Sequence, residues 1–374
     1  MKLVDFFNIY FLSIFALAIL SFFLLLEYSK NRRYPKIADN FFFLLGILFY
    51  VFFFGLRSEN IGTDTPAYLR DFDVLSNFTK FEYALNFSKI NRDNFFVLFT
   101  FLSSQVISRE AYLWLLAAIY IGTIYFIIKK LTSKGRLFFL FSFLCFGFFY
   151  SMGINILRNG ISGMLCLLGV LYLLQIGRKT DNFISRNIKG FTLLLVGSMF
   201  HSSGLIFLLT FLVVRFVKIK IIWYYLGTLV FYVLAFFKFS VLNLPIIGPI
   251  VQANERMEAY ISGEASQEPS GFTIYVIVFQ TIGLIYGAYF VWKYKDEEYA
   301  IVNKIYLVLS CVYLLFLQVS FSDRFGVFSW IWLPLILCFP FFYRDKVLIK
   351  KDFFKYLVVS FFYLFLTYYR LELD

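Results

Sequence analysis

The stretch "FFFGLRSENIGTDTPAYLRDF", residues 52–72, decides how this chain is read. It starts inside a run of Phe and Leu, passes Gly55 and meets Arg57, then reaches Gly62, Thr63 and Asp64. The apolar side extends back to residue 39, so as a helix it is long enough to cross a hydrocarbon core of about 30 Å. A membrane helix therefore ends at Arg57. The arginine, glycine turn and carboxylate that follow stand where that helix leaves the lipid.

The rest of the chain repeats the pattern. Its 374 residues are 61% apolar, with 54 Phe and 27 Tyr, whereas soluble domains hold about 45–50% apolar residues. Apolar runs predict membrane segments over 6–26, 39–56, 111–128, 137–151, 159–176, 190–214, 221–239, 272–291, 301–320, 325–342 and 353–369. The run 94–108 is short for a crossing and is predicted to be re-entrant or strongly tilted. The fold class expected is all-α: a polytopic transmembrane bundle of about 11–12 segments, some broken or re-entrant, forming one membrane domain over 1–374. The first run is long and has no A-x-A-like site, so it reads as a retained span rather than a removed signal.

A net charge of +12 invites a nucleic-acid reading, but the placement of the charge argues against it. Basic residues cluster in short loops: Lys30, Arg32, Arg33 and Lys36; Lys129, Lys130, Lys134 and Arg136; Arg178, Lys179, Arg186 and Lys189; Arg215, Lys218 and Lys220; Arg344, Lys346, Lys350 and Lys351. This is the positive-inside bias, and it places those loops in the cytoplasm. The long loops 57–93 and 240–271 lack it and are expected outside; the first carries five basic and six acidic residues. Cys145, Cys166, Cys311 and Cys338 all lie in apolar runs, with no CxxC spacing, and the single histidine argues against a histidine-based metal site.

Few ionisable residues remain near the external side of the membrane, and these are functional candidates by default. They are Arg57, Asp64, Arg158, His201, Asp323 and Arg324. Arg57 is either an interfacial arginine with its head in water or an anion ligand. Arg158 stands with Asn155 and Asn159 between two apolar segments, and Gly160, Ser162, Gly163 and Gly169 then allow close helix packing. His201 lies in "FHSSG", residues 200–204, which reads either as a polar kink or as the apex of two half-helices. Asp323 and Arg324 either pair with each other or serve a site. Arginines from different helices suit a pyrophosphate, because guanidinium forks bind phosphate oxygens in pairs.

As an ordered set, "GLRSENIGTDTPAYLRDF", "NRDNFFVLFTFLSS", "NILRNGISGML", "SMFHSSGLIFLL" and "DRFGVFSWIWLP" resemble the EpsG-like branch of the Wzy polysaccharide polymerases. The resemblance covers roughly residues 40–345 and rests on Arg57, Asp64, Arg158, His201 and Arg324. The chain departs from that pattern at Thr65, where an aromatic is common, at Asn159 for Gln, at Gly204 for Ala, and at Asp93 near an expected Glu. The resemblance implies a GT-C-like membrane glycosyltransferase in a bacterial cytoplasmic membrane, with its site facing outward. Its substrates would be oligosaccharide units linked to undecaprenyl pyrophosphate, with no nucleotide sugar, metal or other cofactor. A chain-length regulator and a flippase of the same pathway would be its protein partners, and nucleic acid would not be one.

On this reading Arg57, Arg158 and Arg324 bind the pyrophosphate. His201 is the base, with Asp64 as its alternative or its orienting partner. Tyr68, Asn155, Asn159 and Asp323 contact the glycan. Two other classes stay open: a flippase for lipid-linked oligosaccharides, which would need basic groups reachable from both faces, and a membrane acyltransferase, which would leave the arginines unexplained.

Overall fold

The computed structural model describes residues 3–31, 33–82, 84, 86–87, 94–179, 181–239, 274–319, 322–343, 346–347 and 352–373. The loop 240–271, Asp93 and most of the basic loop 343–352 lie outside the described residues. The contacts group the chain into two compact units, Met1–Leu208 with Phe341–Asp374, and Leu209–Pro340.

The first unit opens with α1 (Leu3–Asn31) and α2 (Lys36–Gly55), followed by α3 (Thr65–Ser76), α4 (Asn94–Ser104) and α5 (Arg109–Leu131). It continues with α6 (Arg136–Leu144), α7 (Gly147–Ile154), α8 (Leu157–Leu173) and α9 (Phe183–Phe200). A 3₁₀ turn at Ser202–Gly204 leads into α10 (Leu205–Phe216). The second unit holds α11 (Ile221–Phe236), α12 (Ile274–Tyr294), α13 (Glu297–Phe316), α14 (Asp323–Trp330) and α15 (Leu333–Cys338). A two-residue antiparallel ladder, Phe342–Tyr343 with Lys346–Val347, and α16 (Phe353–Leu373) complete the first unit.

The protein is thus an all-helical, polytopic membrane protein. Among the described residues α1, α2, α5 and α13 are long and apolar enough to span alone, and the pair α6–α7, bent by 79°, makes a fifth candidate. Helix α4 has 11 residues, a rise of about 17 Å, which is half of what a crossing needs. The segment 325–342, predicted as one span, is two short helices. Pro334 has no N–H to bond the Trp330 carbonyl, so α14 ends there and α15 starts afresh.

Broken helices free backbone carbonyls, and in an apolar interior these need donors. Hydroxyl groups supply them. At the α6–α7 bend, Tyr10 Oη donates to the Leu144 carbonyl at 2.9 Å and Thr367 Oγ1 to the Cys145 carbonyl at 2.9 Å. At the end of α15, Tyr299 Oη donates to the Ile336 carbonyl at 2.9 Å and Tyr286 Oη to the Leu337 carbonyl at 3.0 Å. The start of α6 is satisfied in the opposite sense. The buried Asp39 carboxylate accepts from the N–H groups of Arg136 and Leu137, each at 3.1 Å.

Helices α8 and α9 pack backbone to backbone. A Cβ on Gly169 would lie 2.8 Å from the Gly190 carbonyl oxygen, so only glycine permits this crossing. In the second unit the buried Gln280 ties three helices together. Its Nε2 donates to Ser310 on α13, its Oε1 accepts from Trp330 Nε1 on α14 at 2.9 Å, and its carbonyl accepts from Tyr306 Oη at 3.0 Å.

Candidate functional site

Arg57 follows α2 closely and turns inward; only 4% of it is exposed. An interfacial arginine keeps its head in water, and this one does not. Its Nη1 donates to the Phe54 carbonyl at 2.5 Å, one of the acceptors left over at the end of α2. Its Nε donates to Thr65 Oγ1 at 3.2 Å. Its Nη2 is buried with no partner. Burial lowers the guanidinium pKa from its ordinary value to about 10, while the field of Tyr68 works the other way. Arg57 is therefore still charged at neutral pH.

Thr65, where the family-like pattern commonly has an aromatic, holds this corner together. Besides accepting from Arg57, its Oγ1 lies 2.7 Å from the Ile61 carbonyl and 3.1 Å from the Ile154 carbonyl, and its proton serves one of them. The preceding turn depends on Gly62, which has a φ of +92°. A Cβ there would stand 2.8 Å from both Asn155 Oδ1 and the Ile154 carbonyl. The bare backbone lets the Thr63 N–H reach Asn155 Oδ1 at 2.7 Å.

The break between α7 and α8 thus rests against the start of α3. Asp64, Tyr68 and Asp71 follow one another on α3 at helical spacing. Tyr68 Oη donates to the Asn155 carbonyl at 3.0 Å and meets both the backbone N–H and the guanidinium of Arg158. Burial raises the Tyr68 pKa, so the group stays a neutral phenol. The Arg158 guanidinium also lies over the Phe96 ring of α4, 5.5 Å from its centroid. Asp64 makes no capping bond to its own helix, although its field reaches Tyr68. Asp71 is partly buried, which raises its pKa, against the opposing pull of Arg70 and Arg158.

His201 stands where α9 ends and the 3₁₀ turn begins, in extended conformation. The half-helix reading of 190–214 thus has a real break at its centre. Nδ1 of His201 accepts from the Ser203 N–H at 3.3 Å and contacts the Ser203 hydroxyl. That hydroxyl lies 3.5 Å from Asn159 Oδ1, next to Arg158 in sequence, and Ser162 Oγ donates to the His201 carbonyl at 3.3 Å. Because Nδ1 accepts an amide proton, the neutral ring carries its own proton on Nε2.

Within the first unit, then, hydrogen bonds and fields connect Arg57, Asp64, Tyr68, Asn155 and Arg158, and Asn159, next in sequence, is joined to His201 through Ser203. Asp323 and Arg324 belong to the second unit, where they open α14. That helix is anchored by Phe325 stacked on Phe316 at 4.0 Å and by Trp330 on Gln280. Three contributors escaped the sequence reading: Thr65 as the hub under Arg57, Phe96 beneath Arg158, and Asp71 on the α3 face; Ser203, between His201 and Asn159, lay in the stretch FHSSG without a role of its own. The helical spacing from Asp64 to Asp71 was the one sequence signal available for any of them.

Compared with known proteins, residues 40–372 match the profile of the EpsG family. No curated protein and no solved structure matches the chain.

Proposed function

The chain belongs to the EpsG family, the family of Wzy-like polysaccharide polymerases, and from that premise we propose that it polymerises lipid-linked repeat units at the outer face of a bacterial cytoplasmic membrane. The growing glycan is transferred from undecaprenyl pyrophosphate to an incoming unit linked to the same lipid. The anomeric C–O bond to phosphate breaks and a new C–O bond forms to the acceptor hydroxyl. Undecaprenyl pyrophosphate leaves, and the hydroxyl proton passes to a base.

One observation carries this reading: Arg57 is charged, buried and has an unpaired Nη2, beside the Tyr68–Arg158 pair at the start of α8. A buried guanidinium N–H without an acceptor is unfavourable unless a ligand supplies one. A pyrophosphate oxygen would fit, held by Arg57 and Arg158 and by the positive end of α8. In this proposal the guanidinium charges stabilise the leaving group without a metal ion. Tyr68, Asn155 and Asn159 contact the sugars.

The tautomer of His201 bears on the choice of base. With Nδ1 occupied by the Ser203 amide, His201 presents an N–H, which donates to a glycan or phosphate oxygen. Asp64, a carboxylate on the α3 face beside Tyr68, then takes the acceptor proton. This reverses the order in which the sequence ranks the two. The test is incubation of purified protein with a lipid-linked repeat unit, in the absence of nucleotide sugar and with metal chelated. A ladder of products is expected. Consumption without a ladder, or vesicle translocation alone, would overturn the proposal.

A further inference from the structure

At the other end of α8, about 21 Å along its axis from Arg158 to Tyr172, a second group of charges gathers. Lys130 closes α5 with its side chain only 6% exposed. Its Nζ donates to the Arg178 carbonyl at 2.5 Å and lies 3.8 Å from Asp181 Oδ2. Lys189, on the first turns of α9, pairs with the other oxygen, Asp181 Oδ1. Both ammonium groups lie over the ring of Tyr172, at 4.9 and 5.6 Å from its centroid. Arg178 and Arg186 stand close enough for their fields to act on Lys130. The loop is fixed by its backbone as well, through Arg178 N–H to the Lys130 carbonyl at 2.7 Å.

Two ammonium groups therefore share one carboxylate, and the fields of two guanidinium groups reach Lys130 beside it. Arg186 rests over the Phe183 ring at 4.9 Å, and its Nε is buried without a partner. Like charges held this close repel, and the surplus over Asp181 is relieved by an anion of more than one contact point. The charge bias places loops 129–136 and 177–189 on the cytoplasmic side, against the negatively charged lipid headgroups of that leaflet. The aromatic rings of Tyr172 and Phe183 beside the cations suit a headgroup at the interface.

We propose that Lys130, Arg178, Arg186 and Lys189 form a binding site for the phosphate of an anionic phospholipid at the cytoplasmic end of α8 and α9, separate from the site at Arg57 and Arg158. The lipid would hold the α5, α8 and α9 ends together through its headgroup.

The test uses the full-length protein in detergent, stripped of lipid and titrated with phosphatidylglycerol or phosphatidylcholine under native mass spectrometry. One phosphatidylglycerol is expected to be retained, with phosphatidylcholine lost. Each cation near the headgroup is worth about fivefold in affinity, so Arg186→Gln with Lys189→Gln is expected to weaken retention by about 25-fold. The charge-matched pair Lys218→Gln with Lys220→Gln is expected to leave it unchanged. Equal loss in both pairs would reduce the effect to diffuse surface charge and overturn the site. Displacement of the lipid by millimolar inorganic phosphate would assign the cluster to a free anion instead. Equal retention of the two lipids would show that the net charge of the lipid does not matter and overturn the anionic-lipid site. If the first double variant elutes as an aggregate, Lys189→Gln alone, at a half-exposed side chain, is read in its place, with fivefold weakening expected.

Discussion

The side chain of Asn155 accepts the Thr63 N–H at 2.7 Å, joining positions 92 residues apart. That contact exists because Gly62 holds a φ of +92° and has no Cβ to collide with Asn155 and Ile154. Alanine at position 62 would add roughly 1–2 kcal/mol of backbone strain, besides two contacts at 2.8 Å. Gly62→Ala is expected to lower the Tm by several degrees and to abolish chain extension. Asn155→Asp keeps an acceptor for Thr63 and is expected to keep the fold. A Gly62→Ala protein that melts and polymerises normally would show that this turn does not position the site.

Arg57 weighs on stability in a direction opposite to its use. The drop in its pKa from its ordinary value to about 10 corresponds to on the order of 3 kcal/mol against the charged folded state. The sign follows from proton counting: between those two values the unfolded chain binds more protons, so this contribution makes stability rise with pH, and below about 10 the penalty is present in full. Arg57→Met removes that penalty and loses the bonds to Phe54 and Thr65, about 1–3 kcal/mol. The variant is expected to melt no lower than the parent while making no polymer. A large fall in Tm would mark Arg57 as a structural residue.

Arg57→Lys and Arg158→Lys are expected to restore little activity to these positions. A lysine keeps the charge but not the fork, and two charge-assisted bonds are worth about 1.5–3 kcal/mol each. Initial rates of ladder formation with each variant decide it. Near-parental rates would exclude a bidentate phosphate contact.

His201 and Asp64 separate by amide substitution. Asparagine at position 201 reproduces the Nδ1 acceptor for Ser203, whereas glutamine reproduces the Nε2 donor. If His201 acts by donating, His201→Gln retains more activity than His201→Asn, and Asp64→Asn loses nearly all of it. Activity in Asp64→Asn with none in His201→Gln would return the role of base to the histidine. The comparison is made at matched expression.

Tyr68→Phe deletes one oxygen that serves two partners. The Asn155 carbonyl would be left buried without a donor, a loss of about 1–3 kcal/mol, and Arg158 would lose a neighbour. A lower Tm together with a raised KM for the lipid-linked donor is expected. A change in Tm alone would confine Tyr68 to a structural role.

The membrane helices were legible because their apolar runs exceed what a soluble fold uses, and α1, α2, α5 and α13 fall where those runs lie. Boundaries failed where the run was apolar on both sides of a break. In "FFLFSFLCFGFFY" Gly147 is the one hint of a 79° bend, whose freed carbonyls are held by Tyr10 and Thr367, far away in sequence. Pro334 did announce the break between α14 and α15, and the apolar run around it hid the signal. Among site residues, charges in apolar surroundings stood out, which is how Arg57, Arg158 and His201 were found. Thr65, Ser203 and Phe96 did not, since small hydroxyls and phenylalanines are ordinary in this composition and gain their meaning only from what folds against them.

Cysteine labelling addresses sidedness. Ser76 is exposed at the end of α3, and the charge bias puts it outside; Lys179 is exposed in a loop placed inside. Three native cysteines are buried and Cys311 is partly so, which keeps the background low. A membrane-impermeant maleimide is expected to modify Ser76→Cys in intact cells and Lys179→Cys only after lysis. The reverse pattern would invert the whole topology.

The hydroxyls that satisfy the broken helices also decide which breaks can flex. At the α6–α7 bend the two freed carbonyls are held from α1 and from α16, so straightening it would strip both bonds at once. That bend is an elbow set in plaster. The break at His201 is held by Ser203 on its own turn and by Ser162 of α8, which donates to the His201 carbonyl at 3.3 Å. Those bonds are longer, 3.3 Å against 2.9 Å at both carbonyls of the bend. Longer bonds open more readily, which makes the His201 joint the softer of the two breaks. Amide hydrogen exchange should accordingly be faster across 201–204 than across 145–147.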